Sequence, residues 1–161
     1  MSVTRKLEDY LEANAVDFEV IPHPRRVTAL ETAEVEHVPG SQMAKAVIVK
    51  ADGRDVMIVI PANRKLDLLK TRYELEADEV RIEEECEFEE LFPDCEVGAM
   101  PPLGPLYKVL CYVDVTLAEK PAIYFNAGTH EEGLRIAMKD YLRLAEAEIG
   151  DFAIPFESKC G

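Results

Sequence analysis

At 161 residues the chain is long enough for one domain with a substantial core and too short for two ordinary ones. Its 48% apolar and 31% charged residues suit a globular protein; with no membrane-length apolar run and no apolar leader core in residues 1–9, a cytoplasmic protein with no membrane partner is expected. The net charge of −14 disfavours broad attraction to phosphates, yet residues 74–96 alone hold 12 acids against the single Arg81, while residues 1–73 balance at 11 of each sign.

Residues 4–15 carry Leu7, Tyr10, Leu11 and Ala15 on one face of an amphipathic helix. Residues 18–22 read as a short strand stopped by proline, and 23–27 as a polar loop. Thr28-Ala29-Leu30-Glu31 is a capping box that opens a helix to about His37, closed by Pro39-Gly40. Residues 43–50 and 56–60 are β-branched runs around Asp52-Gly53, the strongest hairpin signal in the chain. Residues 66–75 repeat apolar side chains at helical spacing, 80–82 form a brief strand, and 83–92 a helix with a carboxylate solvent face. Beyond a Pro-rich loop, 107–113, 123–125 and 134–138 are strands, and 140–147 is the last helix. There are more strands than these helices could cover as βαβ units. The expected fold is therefore α+β, one domain over residues 1–161, with helices flanking a mixed, mostly antiparallel curved sheet.

Three segments hold residues suited to chemistry. Lys45 heads the apolar strand Ala46-Val47-Ile48-Val49, where alternation puts Lys45, Val47 and Val49 on one face. A lysine there either snorkels at a rim or stands in a cleft as a cation for a phosphate or a developing oxyanion. Gly98-Ala99-Met100-Pro101-Pro102-Leu103-Gly104 is a rigid turn. Its prolines fix φ and withhold two N–H groups, and its glycines allow positive φ or close approach. It is either an ordinary connection or a wall held in shape for a ligand. Asn126-Ala127-Gly128-Thr129-His130 is a strand exit ending in a histidine, which is either solvent-facing or a proton shuttle. Cys86, Cys95, Cys111 and Cys160 make no C-x-x-C pair, and no His/Asp/Glu set has ligand spacing, so neither metal nor cofactor is expected. There is no G-x-S-x-G elbow, P-loop or dinucleotide fingerprint.

Taken in order, Gln42-Met43-Ala44-Lys45, Gly98 to Gly104, and Asn126 to His130 with Leu134-Arg135-Ile136 resemble the YbaK/ProX family. These are stand-alone relatives of the editing domain inserted in bacterial prolyl-tRNA synthetases. The resemblance spans residues 4–153. One departure is Leu103, where the family often has Phe; it bears on the pocket wall and leaves substrate identity open.

The resemblance implies hydrolysis of the ester joining a wrong, small amino acid (alanine or cysteine type) to the 3′ end of tRNA, commonly tRNA for proline. It makes Lys45, Gly98 and His130 the catalytic set. Met100, Pro101, Pro102, Leu103, Gly104, Gly128 and Thr129 would bind substrate, with Asp114 carried over as an acid at the end of its strand. Its partners would be the acceptor end of mischarged tRNA and an aminoacyl-tRNA synthetase. No nucleophile–base pair stands out, so the terminal ribose 2′-OH is expected to activate the water. Two other readings stay open: a non-catalytic tRNA- or synthetase-binding module that docks through its acidic segment, and a hydrolase of small acyl esters.

Overall fold

In the computed structural model of the protein, residues 5–22, 40–92, 95, 100–127 and 132–155 are described. Asp52-Gly53 makes the central turn. Both residues have positive φ, 47° and 85°, as required by the two-residue turn whose twist matches paired strands. The turn joins β2 (Ala44–Ala51) to β3 (Arg54–Pro61), in register from Ala44↔Pro61 to Ala51↔Arg54.

Period-two alternation then sorts the side chains. Ala44, Ala46 and Ile48 join one apolar cluster, and Val47 and Val49 join another on the opposite face. Beyond β3, β6 (Leu110–Asp114) and β9 (Glu148–Gly150) add in parallel, and β5 (Val80–Ile82) pairs antiparallel with residues 49–51 of β2. The five-stranded order is β5-β2-β3-β6-β9. A parallel pair needs a long crossover. Between β3 and β6 the chain supplies β4 (Arg64–Leu66), α2 (Leu68–Leu75), β5 and α3 (Glu85–Phe88).

A second, antiparallel sheet has the order β1 (Glu19–Pro22), β8 (Glu132–Ala137), β7 (Ala122–Asn126), and β10 (Ala153–Pro155) pairs with β4. The expected single sheet is therefore three. The mixed, mostly antiparallel character holds, and a parallel bridge, Met43↔Tyr124, joins β7 to the start of β2. One face of the five-stranded sheet packs Ile48, Met57, Val59, Cys111 and Val113 under α1 (Arg5–Ala13), through Leu7 and Leu11, and α5 (Met138–Ala145), through Tyr141 and Leu144. The other face packs Val49, Ile58 and Ile60 against Phe152 and Ala153.

Several boundaries differ from expectation for local reasons. The apolar run at 66–75 splits at Asp67, whose carboxylate caps α2 by accepting from the N–H groups of Leu69 (2.8 Å) and Lys70 (3.1 Å). The strand expected from 107 begins at Leu110. Gly104–Tyr107 is a 3₁₀ turn closed by Lys108 at φ 60°. The 83–92 helix is one α-turn, Glu85–Phe88, continued as the 3₁₀ turn Glu89–Leu91, and Glu83 is buried rather than on a solvent face. The capping box at 28–31 and its helix lie outside the described residues.

Candidate active site

Lys45 stands where strands part. On one side β2 is paired with β3 throughout, Lys45 facing Ile60. Along its other edge, β7 lies beside Met43 and β5 takes over from Val49. Among the described residues no strand pairs with positions 45–47 on that edge. The register puts the Lys45 side chain on the face of Val47 and Ile60. It is half-buried there, and the loss of water lowers its pKa from the ordinary lysine value. That cost is characteristic of an ammonium held back from solvent.

The approach from β7 is firm. Tyr124 N–H donates to the Gln42 carbonyl at 3.1 Å, and Ala62 N–H to the Met43 carbonyl at 2.7 Å. Met43 and Ala62 are fully buried, and the Tyr124 ring packs against them. On its outer side the Tyr124 hydroxyl accepts from Arg135 Nε at 3.2 Å.

The described part of the double-proline turn, residues 100–104, is buried throughout. Met100 and Leu103 join the cluster that holds Ala44 and Ile48, so they pack on the face of β2 opposite to Lys45. Met100, Pro101, Pro102 and Leu103, carried over as substrate-binding, are all buried and form a wall here. The wall is fixed from behind. Tyr141 Oη donates to the Pro102 carbonyl at 2.8 Å from a fully buried position, and Leu103 N–H donates to the Pro101 carbonyl at 2.8 Å. Gly104 is required by close approach. A Cβ there would lie 2.7 Å from the Cys111 Cβ and run into the Val109 carbonyl oxygen.

Asp114 also differs from expectation. It lies on the Ile60 side of the sheet, is wholly buried, and its oxygens serve the protein itself. Oδ1 accepts from the N–H groups of Phe152 and Ala153, both at 2.8 Å, and Oδ2 accepts from Thr116 N–H at 3.1 Å and from the Thr116 hydroxyl. It is the N-cap of α4 (Val115–Ala118) and the anchor of β10, and it offers no acceptor to a substrate. Gly98, Gly128, Thr129 and His130 lie outside the described residues.

A family model, the aminoacyl-tRNA editing domain, matches residues 23–144. The chain belongs to the aminoacyl-tRNA editing domain family. It is 28% identical over 157 residues to the multifunctional Ser/Thr-tRNA deacylase ProXp-y of Escherichia coli K12, covering 94% of this chain and 93% of that protein. Against a proline–tRNA ligase of Leuconostoc citreum it is 29% identical over 142 residues, covering 86% of this chain and 24% of the ligase. The fold matches the hypothetical protein APE2540 with a TM-score of 0.83 at 22% identity, over 93% of this chain and all of that one. It also matches a crystal structure described as a candidate trans-editing enzyme for prolyl-tRNA synthetase, with a TM-score of 0.81 at 23% identity over 93% of this chain and 96% of that one.

An editing domain of this family is a hydrolase of aminoacyl-tRNA, so its site must hold an ester and admit water. The described residues the sequence left unmarked for such a site are Tyr124 and Tyr141, polar groups on a strand and a helix with no motif to flag them; Asn126 opened a marked segment but was given no role of its own. Among the described residues no helix is long and apolar enough to cross a membrane, and no cluster has the makings of a metal site. A concavity of about 390 Å³ at the far end of the β2–β3 hairpin is lined by Lys50, Asp52, Arg72 and Arg81, and contains none of the expected site residues. Its charges are largely engaged: Lys50 pairs with Asp55 at 3.0 Å and Arg81 with Glu87 at 2.6 Å.

Proposed function

We propose that this editing domain acts in trans to remove a small wrong amino acid from mischarged tRNA, tRNA for proline first, at the fork beside β2. The observation that carries the reading is Lys45, a half-buried cation on β2, close to where β7 meets that strand, in a chain of this family. The similarity to a proline–tRNA ligase supports the tRNA and makes a synthetase partner reasonable. The similarity to a Ser/Thr-tRNA deacylase adds serine and threonine to alanine and cysteine as candidate amino acids.

Chemically, water adds to the ester carbonyl, the carbonyl oxygen becomes an oxyanion, and the ribose oxygen leaves with a proton. The Lys45 ammonium would face the terminal phosphate or that oxyanion, where a donor held ready is worth about 3 kcal/mol. With no nucleophile–base pair among the described residues, the vicinal ribose hydroxyl is the proposed general base for the water. Gly98 and His130 are retained in this proposal as the turn backbone and pocket-sizing group. Editing is needed because a synthetase pocket rejects a near-size amino acid by only about 1–3 kcal/mol. The test is multiple turnover at substoichiometric protein on tRNA for proline charged with alanine, cysteine, serine or threonine. Release of free amino acid from at least one supports the reading. Retention of tRNA without release would favour a non-catalytic module, and equal hydrolysis of free aminoacyl esters a general esterase.

A further inference from the structure

Asn126 is 4% exposed, and its carboxamide oxygen has no hydrogen-bond partner. Buried polar atoms are nearly always paired, so the exception calls for a reason. Its position supplies one. On β7, Ile123 and Phe125 point into the main core, which puts Tyr124 and Asn126 together on the opposite side. Tyr124 is bridged to Met43, and that bridge is parallel. Two residues onward in the same direction along both chains stand Asn126 and Lys45, on the side of the bridge where the Tyr124 ring meets Met43. β2 and β7 are in contact. An ammonium and an unsatisfied carbonyl oxygen thus flank one fork.

We infer that Asn126 is a substrate-binding residue of this site, its side-chain oxygen accepting from the hydrogen-bond donor next to the scissile ester. This rests on the deacylase reading above. Lys45 is a donor and suits phosphate or carbonyl oxygens; Asn126 offers the opposite polarity beside it. On an aminoacylated ribose the donors nearest the ester are the α-ammonium group and the vicinal hydroxyl, and either would satisfy the orphan oxygen. The cost of leaving that oxygen unpaired in the free protein is then recovered on binding.

The test compares the parent with Asn126→Leu, which has nearly the same shape and no polar atom. The probes are non-hydrolysable amide analogues of aminoacylated acceptor-stem RNA: one complete, one lacking the α-amino group, one lacking the vicinal hydroxyl. The expected result is a variant that melts at or above the parent temperature, since an orphan acceptor has been removed, and binds the complete analogue about tenfold more weakly. The parent-to-variant ratio falls to about one with whichever analogue lacks the true donor, which names the source. Equal binding and equal deacylation by both proteins would overturn the role of Asn126 while leaving the deacylase reading intact. The same ratio for all three analogues, with a lowered melting temperature, would make the residue structural and also overturn it. A parent that binds no analogue and deacylates no charged tRNA would end both.

Discussion

Replacing Asp114 separates architecture from chemistry at this end of the sheet. Asp114→Ala leaves the buried N–H groups of Phe152 and Ala153 without the acceptor they now share at 2.8 Å each. It also removes the N-cap of α4, held through Thr116 N–H at 3.1 Å. Each orphaned amide costs about 1–3 kcal/mol and a lost cap about 1 kcal/mol. The expected destabilisation is about 4 kcal/mol, a large part of the ~5–15 kcal/mol that holds a domain together. Asp114→Asn keeps the Oδ1 acceptor and turns an amide toward Thr116, so it should cost less, about 1–2 kcal/mol. Urea unfolding followed by circular dichroism reads both, with the slope as a check that the unfolding unit is unchanged. The Asn variant, assayed where it is fully folded, should deacylate within about threefold of the parent. An Asp114→Ala protein that loses under 1 kcal/mol yet deacylates more than tenfold slower would refute the reasoning and return Asp114 to the substrate.

The buried Glu83 makes a pH prediction. Neither of its oxygens has a hydrogen-bond partner; the Asp55 carboxylate, itself paired with Lys50 at 3.0 Å, stands beside it, with Arg81, Glu84 and Glu87 nearby. Burial raises the Glu83 pKa from 4.5 to about 7, and the neighbouring Asp55 carboxylate adds to it. A carboxyl raised on folding contributes stability that is complete below its unfolded value and lost as pH climbs through about 7. Asp55, held low, acts in the opposite sense and only in more acid solution. Melting temperature should therefore fall between pH 5 and 8 for the parent, by the equivalent of up to about 3 kcal/mol, and Glu83→Gln should flatten that slope; parallel curves would count against the buried pair. Gly104→Ala, which drives a methyl group into the Val109 carbonyl and Cys111, should lower stability by about 3 kcal/mol or prevent folding, visible as a lost cooperative melt. A variant as stable as the parent would show that the double-proline turn is less tightly docked than the structure has it.

What could be read ahead of the structure was what local chemistry decides. Asp52-Gly53 has one good use between two β-branched runs, and it has that use here. Lys45 at the head of its strand, and its face, follow from alternation. Glu83 was misread because a run of carboxylates looks solvated, whereas its N–H is tied to the Ile48 carbonyl at 2.9 Å and its side chain follows that bond under cover. The roles of Asp114 and Tyr141 depend on partners 38 and 39 residues away, beyond any local pattern. The three-residue strands β9 and β10 exist through partners distant in sequence, β6 and the equally short β4, and their own residues carried no usable period. The fork beside Lys45 arises from two sheets meeting at one bridge, and no spacing along the chain encodes it.

The most direct test of the account is single-turnover hydrolysis of a mischarged tRNA by the parent and by Lys45→Ala, with the fold of the variant verified by its melt. Loss of about 10²–10³-fold in rate with the melt preserved is the predicted result. Cleavage at the parent rate on every charged tRNA that the parent accepts would contradict it.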